Sequence, residues 1–434
     1  MKGLPLEGIR VIDAGEVLAG AHGATLLADM GAEVIKIEAI QRYQSVRGGI
    51  GGMNGYADND PGEHPWNRYA GHNDINRNKM DITLNLNDPR GIKLFKSLVA
   101  VSDIVIENFR TGVMAKFGLD YPDLTKVNPQ IIVVSLPGFG RTGPYATYAS
   151  MGTSNDGASG HTALRGYIGD DASKASGIVH VDGIAALNGA VAAIIALYYR
   201  LRTGKGQHVD VAQVEAMMPH LADAILDYTM NGRVQQPMGN RLMGYAPHGC
   251  YPCEGEDQWV TIAVTNDAEW DALIRLMGEP EWIKDRKFSD SLNRWKNQDE
   301  IDRYVGQWTR EYEKNEIAEI LQKAGIAAGP VMNPKDLYED PHLRERGFFE
   351  TVTHREAGTH PYPGLAWKMS KTPGHVWKPG PCLGEHNEYI LGDILGVTRD
   401  ELAELENDQV IGYAPLPGSE LSTEDRIALA GSAQ

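Results

Sequence analysis

Residues 8–38 read GIRVIDAGEVLAGAHGATLLADMGAEVIKIE, and this stretch decides the fold. Gly8-Ile-Arg-Val-Ile-Asp13 is an apolar run of strand length, Gly20 to Met30 a helix of small residues, and Ala32 to Glu38 a second apolar strand. Strand, helix and strand within about 30 residues make a βαβ unit, whose parallel strands are joined by a right-handed crossover. Outward from it the pattern recurs. Ile82-Thr-Leu-Asn-Leu86 leads to a helix near Pro89 to Val101, then to Ile104-Val-Ile-Glu107, a short helix near Gly112 to Phe117, and Ile131-Ile-Val-Val-Ser135. The expectation is an α/β fold: a Rossmann-like open parallel sheet with helices on both faces, whose ligands sit beyond the carboxyl ends of the strands.

Other segments break this rhythm. Arg42 to Lys79 is rich in Gly, Asn and Asp without a clear period, and a loop of that length inside a compact domain is more often functional than idle. Asp182 to Leu201 is the clearest helix; its nearly all-apolar sequence predicts burial on most sides, and Gly204 ends it behind Arg200 and Arg202. From Met230 the character changes to irregular Gly, Asn and Pro. A hairpin over 251–264 follows, with helices at 267–277 and 297–324. The domain reading is a large α/β domain over 1–220 and 331–434, and a small α+β domain over 225–330. The end of the chain, from about Pro415, is polar.

With 42% hydrophobic and 23% charged residues, the chain has the balance of a soluble globular protein. No run reaches the roughly 20 consecutive apolar residues of a membrane span, and Glu7 and Arg10 stand where a signal peptide would carry its apolar core. The expected location is cytoplasmic. Fifty-eight acidic against 41 basic residues give a net charge of −17, which argues against nucleic acid and anionic membranes as partners. An anionic small molecule stays open, because a few local cations and backbone N–H groups suffice for it.

Four features invite a chemical reading. Asp182 begins the apolar helix, where aspartate is a favoured N-cap; a helix N-terminus also lowers a carboxylate's pKa and readies it as a nucleophile, and Gly183 leaves room for a ligand. Residue type alone does not choose between cap and nucleophile. The run GGIGGMNG over 48–55 lacks the strand before and the helix after it that a dinucleotide loop requires. Cys250-Tyr-Pro-Cys253 leads into a strand with only Cys382 remaining, which speaks against a redox motif or a zinc site, and the 13 histidines form no HExxH pair. No metal is expected. Asn108, Phe109, Arg110 and Lys116 follow a strand at its carboxyl end, as either a solvated loop or a phosphate or adenine site.

At this point the chain resembles the class III CoA-transferases, the superfamily of formyl-CoA:oxalate and crotonobetainyl-CoA:carnitine transferases and the α-methylacyl-CoA racemases. The resemblance rests on LEGIRVIDAGEVLAG and LLADMGAEVIKIE over 6–38, NKMDITLNLNDPRG over 78–91 and SDIVIENFRTGVMAKFGLDY over 102–121. It continues in NPQIIVVSLPGFGRTGP over 128–144, ALYYRLRTGKGQHVDVAQVEAM over 196–217, YPCEGEDQWVTIAV over 251–264 and LGEHNEYIL over 383–391. The family's catalytic aspartate stands 21 residues before the threonine of its TGxGQ turn, so the resemblance assigns that role to Asp182, counted from Thr203. It further implies that Val17, Leu18, Leu84, Asn85, Leu86, Asn87, Asn108, Phe109, Arg110 and Lys116 line the CoA site. Also implied are two interlocked subunits, either a homodimer or a heterodimer with a related chain.

The implied activity moves CoA between an acyl-CoA donor and a carboxylic acid through aspartyl anhydride and aspartyl-CoA intermediates. CoA is then a substrate, with no tightly bound cofactor. An arginine that follows the KIE strand in the family is Ala39 here, and Arg42 or Arg47 is expected to replace it. The family's cover loop has Gly239, Gly244 and Gly249 as its nearest candidates. The racemases' histidine and glutamate positions fall on Met151 and about Asn266, neither of them an acid or base near neutral pH, which favours transfer over racemisation. Tyr43, Tyr56, His64, Trp66 and Tyr69 within 42–79 suggest an aromatic acceptor, benzylsuccinate-like, with succinyl-CoA as donor; the alternative is that these rings only anchor their loop. A non-catalytic CoA-binding subunit is the competing reading from another class.

Overall fold

The computed structural model describes residues 3–48 and 55–419; most of the glycine run at 48–55 and the end of the polar tail lie outside the described residues. The chain forms two compact units. The first comprises residues up to Ser159, Gly177–Ala222, and the chain from Glu345 on; the second comprises Gly160–Ser176 and Asp223–Arg344. The second unit thus takes in residues 160–176 and 331–344, which the sequence reading placed in the large domain.

The first unit is built on six parallel strands: β1 (Arg10–Asp13), β2 (Glu33–Glu38), β3 (Met80–Thr83), β4 (Ile104–Glu107), β5 (Ile132–Ser135) and β6 (His208–Asp210). Their order in the sheet is β3-β2-β1-β4-β5-β6, every neighbouring pair parallel. Strand order reverses between β1 and β4, and at such a switch point the loops diverge and open a crevice at the carboxyl edge. Alternating side chains feed two cores, as the two-residue strand period requires. Ile12, Ile35, Val105 and Val133 join one face; Val11, Val34, Ile104 and Val134 join the other.

Five helices matter for the site: α1 (Ala19–Asp29), α2 (Pro89–Ala100), α3 (Gly152–Ala158), α4 (Val181–Thr203) and α5 (Gln213–Met217). Asp88 caps α2 through the Arg90 N–H at 2.8 Å. Helix α4 packs against α1 with a face of Ala185, Ala186, Gly189, Ala190, Ala193 and Ala196, small residues that let the two backbones approach. A Cβ at Gly23 of α1 would stand 3.1 Å from the Ala186 carbonyl oxygen. The expected burial of α4 on most sides is corrected here. Its large apolar side chains, Leu187, Val191, Ile194, Ile195, Tyr198, Tyr199 and Leu201, lie on the other face and are 43–73% exposed in the single chain. Length and apolarity alone would let α4 cross a membrane, but its small-residue face belongs to the core of the sheet.

In the second unit, β7 (His248–Pro252), β8 (Trp259–Ala263) and β9 (Ala327–Pro330) form an antiparallel sheet in that order. The expected hairpin is present, and β9 adds a third strand. One long helix was expected over 297–324; two form instead, Gln298–Thr309 and Lys314–Lys323, because the Glu313 carboxylate accepts from the Asn315 and Glu316 N–H groups and starts the second. Gly249 lies within β7, paired with Ile262, so it belongs to a strand and not to a cover loop; Gly239 and Gly244 are in left-handed turns.

Candidate active site

Three strand-end loops meet at the switch point. After β1 come Glu16 and Val17, after β4 come Asn108, Phe109 and Arg110, and after β5 come Pro137, Gly138 and Phe139. Together with α3, the start of α4 and Arg42 they enclose a cavity of about 290 Å³. The amide of Asn108 locks two of these loops together. Its Oδ1 accepts from the Glu16 N–H at 2.7 Å, and its Nδ2 donates to the Glu16 carbonyl at 2.8 Å. Val17 follows with φ of +56°, a left-handed conformation costly for a β-branched residue. Beneath the β4 loop, Glu107 accepts from the Phe109 N–H at 2.8 Å; burial pushes its carboxyl up to about 7.

Asp182 lies in this cavity, at the second position of α4. It is not the cap that its sequence position suggested. Asp156, buried on α3, does that work from outside the helix, accepting from the His180 N–H at 3.1 Å and the Val181 N–H at 3.2 Å. Asp156 takes the His180 and Val181 N–H groups, and the Asp182 carboxylate makes no hydrogen bond or ion pair among the described residues. Its pKa is accordingly not lowered, as expected for a helix N-terminus, but raised to about 6, by burial first and by the charge of Asp156 second. Gly152, at the start of α3, comes close enough that a Cβ there would stand 2.2 Å from Asp182 Oδ2.

Of the residues expected at a CoA site, Val17, Asn108, Phe109 and Arg110 line the cavity with Asp182. Arg110 is exposed at its rim, its guanidinium free of ion pairs among the described residues. Leu18 sits beside it as the residue before α1. The others are elsewhere on the same carboxyl edge. Leu84 is buried in the core and Leu86 packs against it, while Asn85 Oδ1 accepts from the Asn87 N–H at 3.0 Å, all beyond β3 at the outer end of the sheet. Lys116 is exposed at the end of a short helix, Val113–Lys116.

The two arginines offered as replacements at Ala39 part company. Arg42 lines the cavity and meets Glu16 at 2.8 Å. Arg47 is buried against Glu38 at 2.7 Å and reaches no ligand surface. The aromatic pocket expected from 42–79 is likewise absent from the cavity wall: Tyr56 packs edge-on against Tyr69, and Trp66 lies beside His64. Aromatic rings do reach the cavity from another segment, Phe139 and Tyr148, in contact at 6.0 Å between centroids. Met151 stands at the rim, and Asn266 caps the helix Asp267–Leu276 of the second unit through the Glu269 N–H. Sequence reasoning missed Asp156, Gly152, Asn155 and Gln213, all close to the SG dipeptide at 159–160 or to the TGxGQ turn. The three cysteines are free thiols.

Comparison with known proteins gives the family. CoA-transferase family III matches residues 6–387. The succinyl-CoA–D-citramalate CoA-transferase of Chloroflexus aurantiacus is 34% identical over 411 residues, 94% of this chain and 98% of that one. The alpha subunit of the succinyl-CoA–L-malate CoA-transferase of the same organism is 31% identical over 414 residues, 94% of this chain and 93% of that one. A CAIB/BAIF family protein from Brucella suis, 31% identical, superposes with a TM-score of 0.81 over 91% of this chain and all of its own. A switch-point cavity holding an unpaired carboxylate, and relatives that match nearly end to end, lead to one conclusion: this chain is an enzyme of CoA-transferase family III.

Proposed function

We propose that the enzyme passes CoA from succinyl-CoA to a small carboxylic acid, with Asp182 carrying the acyl group. The observation behind this is the unpaired Asp182 carboxylate in the cavity. A pKa of about 6 leaves it mostly ionised at neutral pH, yet more basic than an ordinary aspartate and so a better nucleophile. Asp182 attacks the thioester carbonyl, giving a mixed anhydride and CoA thiolate. The thiolate then attacks the aspartyl carbonyl, forming aspartyl-CoA and freeing succinate. The acceptor carboxylate attacks this thioester, forming a second anhydride and thiolate, and the thiolate takes the acceptor acyl group and restores Asp182. The N–H groups of Asp182 and Gly183, which the Asp156 cap does not take, are the donors at this helix end that would hold the oxyanions.

Arg42 and Arg110 are the cations available for CoA phosphates, and the loop Leu84, Asn85, Leu86 and Asn87 with Lys116 extends the same edge for a long ligand. The apolar exposed face of α4 supports assembly with a second chain, either identical or related, as the name of the malate enzyme's alpha subunit implies for that relative. Three free thiols fit a cytoplasmic setting. Citramalate and malate in the relatives' names favour a small aliphatic acceptor, while the aromatic, benzylsuccinate-like one loses its support because the rings of 42–79 do not line the cavity. Met151 and Asn266 leave racemisation without its acid–base pair, and an intact Asp182 argues against a silent subunit.

The test is mass spectrometry of enzyme incubated with acyl-CoAs and quenched with hydroxylamine. A hydroxamate on Asp182 with succinyl-CoA is expected; no adduct with any donor would refute the reading. A second outcome follows from the close approach of Gly152. Gly152→Ala must displace the Asp182 carboxylate, and a displacement of about 1 Å costs about 100-fold in rate. Steady-state kcat/KM checks it; a fall of less than about threefold would show that Asp182 need not occupy this position.

A further inference from the structure

We propose that Asn155 reads a hydroxyl group on the acceptor, so that the acid this enzyme prefers is a 2- or 3-hydroxy acid; this rests on the proposed function and deepens it. The argument starts from a one-way chain of amides. The Leu136 carbonyl, just past β5, can only accept. Gln213, the first residue of α5 and nearly fully buried, must therefore turn its Nε2 toward that carbonyl, and the bond is 2.7 Å. Its Oε1 is then fixed as an acceptor, and Asn155 donates to it from Nδ2 at 3.0 Å. That leaves no choice for the other end of Asn155. Its Oδ1 points away from Gln213, is closed off from bulk water, and has no donor among the described residues.

A buried acceptor without a donor is costly, by roughly 1–3 kcal/mol, and persists where a ligand supplies the missing partner. Asn155 is 2% exposed and, with Gln213, lines the cavity that holds Asp182. It also sits three residues after Gly152 on α3. Residues so spaced share a helix face about 5–6 Å apart, and Gly152 is the residue that abuts Asp182. Asn155 and Asp182 thus border one cavity, so a small acid joined to Asp182 can bring a donor to Asn155. One orphan acceptor calls for one donor. A hydroxyl supplies one, whereas an ammonium would bring three N–H groups into the cavity and leave two unpaired.

The test compares acids that differ by one hydroxyl, 2-hydroxyglutarate against glutarate and citramalate against methylsuccinate, as acceptors from succinyl-CoA. The wild type is expected to favour the hydroxylated member by about 10-fold or more in kcat/KM. In Asn155→Ala and in the bulkier Asn155→Leu the preference should fall to about threefold or less. An unchanged ratio in a folded variant overturns the inference, as does a wild type without the preference, which needs no variant at all. Hydroxamate formation on Asp182 from succinyl-CoA, measured on the same samples, separates the two levels. If it is present while the ratio does not move, only the role of Asn155 fails; if it is absent in the wild type, the proposed function fails first.

Discussion

Replacing Asp182 by asparagine is expected to abolish CoA transfer and, in the same stroke, to make the protein more stable at neutral pH. On the proposed mechanism the loss follows from the removal of the cavity carboxylate that would carry the acyl group, and ~10³-fold or more is the scale seen when a nucleophile is removed. The gain follows from the environment of the carboxylate. Burial and the neighbouring Asp156 raise its pKa from 3.8 to about 6, so the folded protein binds this proton more tightly than the unfolded chain does. The stability linked to that proton is complete below about pH 3.8 and lost as pH rises through about 6, so at pH 7.5 the full cost of ionisation is being borne. A shift of this size corresponds to ~3 kcal/mol at most. Because Asp182 is only half-buried and solvent screens part of the effect, ~1–2 kcal/mol is the realistic gain from an uncharged amide. Denaturant midpoints of Asp182→Asn and wild type should therefore diverge at pH 8 and converge toward pH 5. Over the same interval the wild-type rate of hydroxamate formation should fall as Asp182 takes up its proton. Transfer surviving the substitution, or an asparagine variant less stable at pH 8, would contradict this account.

Asp182 shows where the sequence speaks and where it stops. Strands β1, β2, β4 and β5 are legible because a buried parallel strand has to be apolar on both faces, and runs such as Ile104-Val-Ile and Ile132-Val-Val leave no other reading. The run Ile82 to Leu86 misplaces β3, which is Met80–Thr83 and carries Asp81 and Thr83, so that Leu84 and Leu86 pack beyond its end. Strand β6 escapes because its three residues, His208-Val-Asp210, lie at the sheet edge and carry no such run. The helix that begins near Asp182 is equally plain, but the state of its carboxylate depends on Asp156, 26 residues earlier, and only the packing of α3 on α4 brings the two together. Local sequence therefore predicts a lowered pKa, and tertiary contact reverses it. The same holds for α4 as a whole. An apolar helix reads as buried, but the residues that pack within this chain are the small ones, and the large ones are left for something else. Asn155 is harder still, since its meaning rests on the orientation of two amides.

The largest stability effect is expected at Arg47, and it explains why two arginines five residues apart have different fates. Arg47 donates from Nε to both Glu38 oxygens at 3.1 and 2.9 Å and from Nη2 to Oε1 at 2.7 Å, with Nη1 on the Trp66 carbonyl at 3.0 Å. Its Nη2 also lies 3.6 Å from Asp81 Oδ2, on the neighbouring strand β3. All three groups are buried. Burial alone would raise both carboxyls; the guanidinium outweighs it at Glu38, which is held well below the usual carboxylate range, while burial and the Glu38 charge push Asp81 well above it. One charge, one countercharge and one proton share the pocket. Arg47→Met removes the countercharge and strands Glu38, a change that costs ~3–5 kcal/mol in buried pairs. The pH dependence supplies the check. In the wild type the contribution of Glu38 is present above its unfolded pKa and lost only as pH falls through its low folded value, so it persists at pH 5. In the variant Glu38 has every reason to protonate, and the deficit should shrink from pH 7.5 to pH 5. Denaturant unfolding at the two pH values measures it, and a deficit below about 1 kcal/mol, or one independent of pH, would refute the pairing. Among the described residues Arg42 pairs with Glu16 beside the cavity and with no carboxylate on β3, and that leaves its charge at the ligand edge. The anchored triad ends β2 and fixes the chain that presents Arg42, so weakened succinyl-CoA binding should accompany the loss of stability.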